Sequence, residues 1–319
     1  MSEKVIKSYK AFDKNMQCRG FQYEVGKEYE MNGGIKCCNR GFHACKSPME
    51  VWDHYDMLSS RFAEVEQSGK IDEERNSTKV CSSRIKIKAE LKLADIIKVG
   101  VEWLKDITSP TKVKTDIAKN DNGGYSAQIG SSGDSAQIGS SGDYAKIGSS
   151  GDSAQIGSSG YYAQIGSSGY YAKIGSSGDY AKIGSSGYYA QIGSSGDYAK
   201  IGSSGYLAQI GSSGYLAQIG SSGDYAQIGS SGDYAKIGSS GDYAQIYSTG
   251  EDSVVMCAGK ESKAKAKVGS WITLTEWEWN DDKKRRVPLC VKTEYVDGNN
   301  IKADTWYQLQ NGEFVEVTV

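Results

Sequence analysis

A nine-residue repeat constrains this chain more than any other feature. Fourteen near-identical blocks follow one another without a gap from Asp121 to Ile246, with the consensus Gly-Ser-Ser-Gly-Asp/Tyr-Tyr-Ala-Gln/Lys-Ile. A unit this short cannot bury its own apolar face, so it becomes stable only when neighbouring copies stack and share one core. The repeat therefore predicts a parallel β-solenoid and an all-β dominated fold.

The alternation of side chains within a block predicts which residues face inward. Ala145 and Ile147 fall on one side of a short strand, whereas Tyr144 and Lys146 fall on the other. We expect the Gly-Ser-Ser-Gly segment to turn the chain, because glycine tolerates the positive φ angles of tight bends. Each block is then one strand and one corner.

The number of blocks in each coil follows from the size of the inward side chains. Two blocks per coil would give two facing parallel sheets, whereas three would surround a triangular lumen. With only alanine and isoleucine pointing inward, the wider lumen would contain voids, which cost on the order of 24 cal/mol per Å³. We therefore favour two nonapeptide blocks per coil.

Stacked coils place like residues above one another. The two-block register predicts an internal ladder formed by Ile147, Ile165, Ile183, Ile201, Ile219 and Ile237. It also predicts two outward columns, one of tyrosines and one of lysines, which we interpret as a candidate binding surface. The residues of this surface are Tyr144, Tyr162, Tyr180, Tyr198, Tyr234, Lys146, Lys182, Lys200 and Lys236.

The repeat divides the chain into three predicted parts. Residues 1–120 are expected to form an α+β module that ends in a capping helix at Ala94–Lys105, where apolar residues recur at helical spacing. Residues 121–264 are the solenoid, and residues 265–319 are an antiparallel β cap, because an open solenoid end would be an unpaired sheet edge. The residues expected to seal that end are Trp271, Ile272, Leu274, Trp277, Trp279, Trp306, Tyr307, Leu309 and Phe314.

Composition limits the compartment and the partner. The net charge of −2 and the pI near 5.9 give no strong signal for nucleic-acid binding. The sequence contains no apolar stretch long enough to span a membrane, and its seven cysteines, an odd number, fit reduced thiols. We therefore expect a cytoplasmic protein whose partner is another protein, with self-association through the solenoid faces as a further possibility.

Two segments of the head resemble a known family. Cys18-Arg19-Gly20-Phe21-Gln22-Tyr23-Glu24-Val25-Gly26, followed by Arg40-Gly41-Phe42-His43-Ala44-Cys45, is similar to the N-terminal module of an uncharacterised family of phages and prophages of gut bacteria. Members of that family commonly carry glycine-rich short repeats behind this module, and the tail from Val291 to Tyr307 is similar to theirs. The resemblance implies a viral or mobile-element origin and a bacterial host cell, but it implies no activity.

The head contains a cluster of donors that we compare with a zinc site. Cys37, Cys38, His43 and Cys45 lie within nine residues, but their spacing lacks the paired Cys-x-x-Cys arms of a zinc knuckle. His43 and Cys45 could also form a nucleophilic pair, although side chains two apart on a strand usually diverge. We favour buried thiols and a hydrogen-bonded His43, and we expect no metal.

The repeat also invites comparison with calcium-binding and ice-binding solenoids. In the calcium-binding β-roll the sixth position of each nonapeptide is aspartate, whereas here aspartate occurs only at the fifth position, as in Asp143. Ice-binding surfaces present threonine, and no threonine occurs between Asp121 and Ile246. Neither function is favoured, and no cofactor is expected.

These observations favour a non-enzymatic repeat scaffold over an enzyme. Its Tyr/Gln/Lys faces and Ser/Asp corners would present a rigid surface to a host or viral macromolecule, as in a phage-encoded inhibitor or structural protein. The alternative is an enzymatic head with the solenoid as a spacer or targeting arm. That alternative depends on a weak similarity of Gly41-Phe42-His43 to ADP-ribosyltransferase-like folds, whose spaced polar triad we do not find here.

Overall fold

The computed structural model describes residues 4–74, 78–107 and 125–318. The chain forms two compact units, Met1–Trp103 and Leu104–Val319, which we call the head and the solenoid unit. The start of the predicted repeat, residues 121–124, lies outside the described residues. No helix within the described ranges has both the length and the apolar character needed to cross a bilayer.

The head is built on a five-stranded antiparallel sheet in the order β4-β7-β5-β1-β6. Strand β7 pairs with β6 as well as with β5, so β7, β5, β1 and β6 form a closed sheet. The core of the head includes Phe12, Phe42 and Ile85. Strands β2 and β3 form a separate hairpin. The elements are β1 Ile6–Phe12, β2 Gln17–Cys18, β3 Phe21–Gln22, β4 Glu28–Glu30, β5 Phe42–Cys45, a 3-10 helix Met49–Asp53, β6 Arg61–Glu73, β7 Lys79–Leu91 and α1 Leu93–Ile107.

Helix α1 confirms the helix predicted at Ala94–Lys105. Asp95 accepts a hydrogen bond from the backbone N–H of Lys92, which satisfies one donor at the start of the helix. The apolar stripe of α1 is buried. A Cβ on Gly100 would lie 2.8 Å from the Cγ of Met49, so α1 packs closely on the 3-10 helix. The role of α1 as a plug for the first coil stays a prediction.

The solenoid unit confirms two blocks per coil. Ile147 pairs in parallel with Ile129 on one side and Ile165 on the other, so each strand pairs with the strands two blocks before and after it. Even-numbered strands from β8 to β22 lie in one sheet, and odd-numbered strands from β9 to β23 lie in the other. The repeat strands are β8 Gln128–Ser131, β9 Gln137–Ser140, β10 Lys146–Ser149, β11 Gln155–Ser158, β12 Gln164–Ser167, β13 Lys173–Ser176, β14 Lys182–Ser185, β15 Gln191–Ser194, β16 Lys200–Ser203, β17 Gln209–Ser212, β18 Gln218–Ser221, β19 Gln227–Ser230, β20 Lys236–Ser239, β21 Gln245–Ser248, β22 Val254–Cys257 and β23 Lys263–Lys265.

The interior of the coils is narrow and filled by small residues around one isoleucine per block. The predicted ladder from Ile147 to Ile237 is buried, as is the opposite ladder from Ile138 to Ile246. The alanine at the seventh position and the serine at the second also face inward. Because these side chains are short, the two sheets lie close enough to exclude water from the space between them.

The structure corrects the predicted role of the corner glycines. The left-handed backbone at each corner belongs to the sixth residue, such as Tyr144 with φ 58° and Tyr180 with φ 57°, whereas no described glycine of the repeat has a positive φ. The fourth-position glycine is needed for contact between coils, since a Cβ on Gly178 would lie 1.9 Å from the carbonyl oxygen of Gly160. The sixth-position tyrosines therefore lie in corners and not on the flat sheets.

The C-terminal strands are antiparallel, as predicted. Strand β24 Trp271–Asn280 pairs along its whole length with β25 Arg285–Tyr295, and its first four residues also pair in parallel with β22. Strands β26 Tyr307–Gln310 and β27 Glu313–Glu316 form a second hairpin. Asn311 and Gly312, with φ 53° and 73°, turn this second hairpin.

The predicted sealing set divides into two groups. Ile272, Leu274, Tyr307 and Leu309 join the solenoid core, with Phe314 packed against it. Trp306 is also buried and Trp277 is half-buried, but Trp271 and Trp279 are 47% and 55% exposed, so these two do not seal the end. The difference arises because side chains on β24 alternate between the core and the outer face.

Candidate functional sites

The outer face of the even-numbered sheet presents a single column of long polar side chains. We call this surface the lysine face and define it by Gln128, Lys146, Gln164, Lys182, Lys200, Gln218 and Lys236, all of which are exposed. They follow one another at the strand spacing of about 4.8 Å. Within the described part of the chain, none of the four lysines forms an ion pair. The predicted lysine column is thus assembled as one surface.

A column of glycines runs beside the lysine face. A Cβ built on Gly148, Gly166, Gly184 or Gly202 would meet no atom within 4 Å, so the backbone there is open to a partner. Lysine, isoleucine and glycine positions of successive coils together line an open groove of about 1140 Å³. Glycine at this position therefore gives an approaching molecule direct access to the backbone of the sheet.

The predicted tyrosines form a second column at the corner that leads into this sheet. Tyr144 and Tyr162 stack with ring centroids 5.0 Å apart, and Tyr180 and Tyr198 stack at 4.8 Å with nearly parallel planes. Each of these tyrosines precedes a residue of the lysine face by two positions in its own block. The two columns are therefore neighbours, and their residues remain partly exposed.

One member of the tyrosine column, Tyr215, was not predicted from the sequence. Leu216 interrupts the sixth-position series, but the ring of Tyr215, from the fifth position, lies edge-on between Tyr198 at 6.1 Å and Tyr234 at 5.5 Å. The column therefore continues past the leucine. A signal was present, because both blocks with leucine at the sixth position carry tyrosine immediately before it, as in Tyr206-Leu207.

The fifth-position aspartates join one coil to the next. Asp143 Oδ1 accepts a hydrogen bond of 2.9 Å from the backbone N–H of Tyr161 in the following coil, and Asp197 accepts one of 2.8 Å from Tyr215. All eight aspartates at this position make the equivalent bond. We call this hydrogen bond to the next coil the aspartate clamp. It accounts for the aspartate at this position without a metal ion.

The odd-numbered sheet offers a less open surface than the lysine face. Gln191, at the position equivalent to a face lysine, is only 2% exposed, and its side-chain amide donates to Gln209 Oε1 at 3.1 Å. Outward glycines of this sheet such as Gly157 are buried, whereas those of the other sheet such as Gly148 are exposed. The repeat sequence is nearly the same in both sheets, so the two outer faces differ in their exposure and not in their residue types.

The four candidate metal ligands of the head are engaged separately. The Cys37 thiol donates to the backbone oxygen of Asp72 at 3.1 Å, and Cys38 Sγ lies 3.7 Å from Lys79 Nζ. Cys45 is buried, as predicted, and burial raises the pKa of its thiol to about 12, whereas Cys38 is exposed and Cys37 is half-buried, so the prediction of buried thiols is wrong for these two. Among the residues that the structure describes, no group of three or more histidine, cysteine, aspartate or glutamate side chains could hold a metal.

His43 is held by the backbone of its own loop. Its Nε2 accepts a hydrogen bond of 3.0 Å from the backbone N–H of Cys38, which requires a neutral imidazole. Burial, followed by the nearby charges of Lys10 and Arg19, lowers the pKa of His43. These contacts support the hydrogen-bonded, structural role predicted for His43.

The head contains a half-enclosed pocket of about 590 Å³, and both histidines of the chain line it. Lys10 lies in its wall and is 5% exposed; its Nζ donates to the backbone oxygen of His43 at 2.8 Å and lies 3.4 Å from Cys18 Sγ. The hydroxyl of Tyr55 lies 2.8 Å from the same sulfur. Burial lowers the pKa of Lys10. Sequence reasoning missed this cluster, whose only signal is a lysine within the apolar strand β1.

Comparison with known proteins informs on the head alone. Residues 6–99 match a family model described as "Domain of unknown function (DUF7666)". No curated protein and no solved structure matches the chain. The head is thus similar to an uncharacterised family from β1 into α1, and an enzymatic activity of the head stays a prediction.

Proposed function

We propose that this chain is a non-enzymatic scaffold whose lysine face binds an acidic protein. The observation that carries the proposal is the direct pairing of Lys182 with Lys200 in adjacent strands, in a column without a described carboxylate. Like charges side by side on a sheet repel each other. A partner that brings carboxylates to this column removes that repulsion and gains charge complementarity, which steers association and selects the partner.

The surroundings of the lysines suit a protein ligand. The glycine column leaves the sheet backbone accessible, and the tyrosine column provides exposed aromatic rings at the adjoining corner. Aromatic side chains are enriched at protein interfaces because they bury a large area at low conformational cost. Lysines, tyrosines and open backbone therefore form one continuous surface.

The solenoid also holds this surface rigid. Each coil is hydrogen-bonded to the next along the strands, at the corners and through the aspartate clamps, as at Asp179 and Asp197. A surface that is already ordered loses little conformational entropy when it binds. The resemblance of head and tail to phage proteins supports a phage-encoded inhibitor or structural protein, acting in the cytoplasm of a bacterial host on a host or viral protein.

A titration with poly-L-glutamate tests the surface on the full chain. The test variant replaces Lys146, Lys182, Lys200 and Lys236 with glutamine, which the chain itself uses at this position in other blocks, so we expect the fold to be retained. We expect wild-type binding that weakens with salt, and a loss of about tenfold or more in the variant, since each exposed ion pair contributes up to about 1 kcal/mol.

Two further variants sharpen the test. Gln164→Lys with Gln218→Lys extends the column and is expected to strengthen binding, whereas Lys283→Gln removes an exposed charge in the β24–β25 turn and is expected to change nothing. Equal affinity of wild type and the four-glutamine variant would overturn the proposal. Equal or tighter binding of duplex DNA at the same salt concentration would also overturn it, because the face would then be a general polyanion site.

A further inference from the structure

The pocket of the head contains a buried lysine without a described counterion. Lys10 is 5% exposed, and among the described residues its Nζ meets a backbone oxygen and a thiol but no carboxylate. The rings of Phe12 and Tyr23 lie 5.6 Å and 5.5 Å from Nζ. Buried charges in proteins are usually paired, because the loss of hydration is costly. A ligand with an anionic group would supply the missing partner.

A second cation reaches the pocket from a strained turn. Arg19 and Gly20 form the two-residue loop between β2 and β3, with φ 51° and 77°. Such loops favour asparagine before glycine, whereas a long side chain in the left-handed region costs roughly 1 kcal/mol. Arg19 is exposed and makes no hydrogen bond or ion pair with a described residue. It lines the same pocket as Lys10 and His43.

The same hairpin supplies an aromatic wall. Phe21, which pairs with Cys18 across the turn, lies 4.8 Å from Tyr23 and 5.3 Å from Tyr29 between ring centroids. Although it belongs to this cluster, Phe21 is 44% exposed, so part of its ring is free to contact a ligand. Tyr23 touches both the aromatic wall and the Lys10 ammonium. Cations and an exposed ring therefore line one cavity.

We propose that this pocket binds a nucleotide, with its phosphate at Lys10 and Arg19 and its base against Phe21 and Tyr23. The volume of about 590 Å³ fits a ligand of this size. Arginine and lysine are the usual phosphate ligands, and bases pack on aromatic side chains irrespective of sequence. A local backbone conformation that costs stability but aims a charge at a pocket is also typical of binding sites.

Calorimetric titration of the full chain with AMP, GMP, CMP and UMP tests the proposal. We expect at least one of these mononucleotides to bind with a Kd below about 1 mM. For that base, the free nucleoside and ribose 5-phosphate should each bind at least tenfold more weakly, because the nucleoside lacks the phosphate and ribose 5-phosphate lacks the base. Lys10→Met should reduce nucleotide affinity at least tenfold without unfolding the head, since it removes a buried charge and keeps the apolar stem.

Arg19→Asn is the sharper variant, because two opposite effects are expected of it. Asparagine suits the turn, so the thermal midpoint of the head should stay the same or rise, while nucleotide affinity falls at least fivefold. Lys14→Met, which removes an exposed charge nearby, serves as the control and should leave affinity unchanged. Failure of all four nucleotides to bind would overturn the proposal, and so would unchanged affinity in both Lys10→Met and Arg19→Asn. Ribose 5-phosphate binding as tightly as the nucleotide would also overturn it.

Discussion

Lys182 and Lys200 are direct neighbours in the parallel strands β14 and β16, and both side chains extend from the same face. They are the one adjacent lysine pair in the column, since Lys146 lies between Gln128 and Gln164. The fold places them together because a coil of two blocks brings every second block into register. The chain therefore keeps two like charges side by side where glutamine would also fit.

Lys182→Gln is expected to raise the thermal midpoint of the solenoid at low ionic strength, because it relieves the repulsion from Lys200. The gain should vanish near 1 M salt, where the Debye length is about 3 Å. Circular dichroism melts measure both effects. Lys146→Gln is the matched control, since its neighbours are glutamines, and a gain of the same size there would contradict this explanation.

Gly196→Ala is expected to disrupt the contact between coils. A Cβ at this position would lie 2.1 Å from the carbonyl oxygen of Gly178, and a backbone atom cannot move aside without breaking the ladder. The loss should amount to several kcal/mol. Gly202→Ala, on the open glycine column, meets nothing within 4 Å and should be neutral or slightly stabilising. Chemical denaturation distinguishes the two variants, and a similar loss in both would refute the argument.

Asp197→Ala is expected to weaken one clamp between coils. The Asp197 carboxylate accepts the backbone N–H of Tyr215 at 2.8 Å, and this amide should exchange with solvent roughly tenfold faster when the acceptor is lost. Asp197→Asn keeps an acceptor oxygen and should preserve most of the protection. Hydrogen exchange measured by mass spectrometry reports on this segment. Equal exchange in the alanine variant and the wild type would show that the clamp contributes nothing.

Glu73 is expected to make the stability of the head depend on pH. Hydrogen bonds from Lys46 and then Lys4 lower the pKa of Glu73 to about 2. Because the folded pKa lies below the unfolded value of about 4.3, the contribution is present above that value and is lost as the pH falls toward 2. The carboxylate is partly exposed, so solvent screening keeps the effect small.

Glu73→Gln should therefore lower the thermal midpoint of the head at pH 7 by a small amount, and the difference from wild type should disappear near pH 2. Melts across this range provide the measurement. A difference that persists at pH 2 would indicate that the carboxylate acts through packing and not through its charge.

Much of the solenoid could be predicted from the chain because its information is local and repeated. Alternation placed Ala145 and Ile147 inside, and the small size of these residues excluded a triangular lumen. The lysine and tyrosine columns follow from the same register. The corners could not be predicted in this way, because Gly178 is required by a carbonyl oxygen of the previous coil, which no single block contains. The left-handed conformation likewise lies at Tyr180 and not at a glycine of the corner.

The sequence by itself determined the repeat, its inward and outward faces and the antiparallel C-terminal strands, because periodicity and turn residues act over a few neighbouring positions. Only the tertiary structure decided that Tyr215 fills the gap at Leu216, that the lysine face is the more open of the two sheets, and that Lys10, Cys18 and Tyr55 meet in one pocket. These contacts join residues from different strands, coils or loops, and their distances are set by packing that no local pattern records.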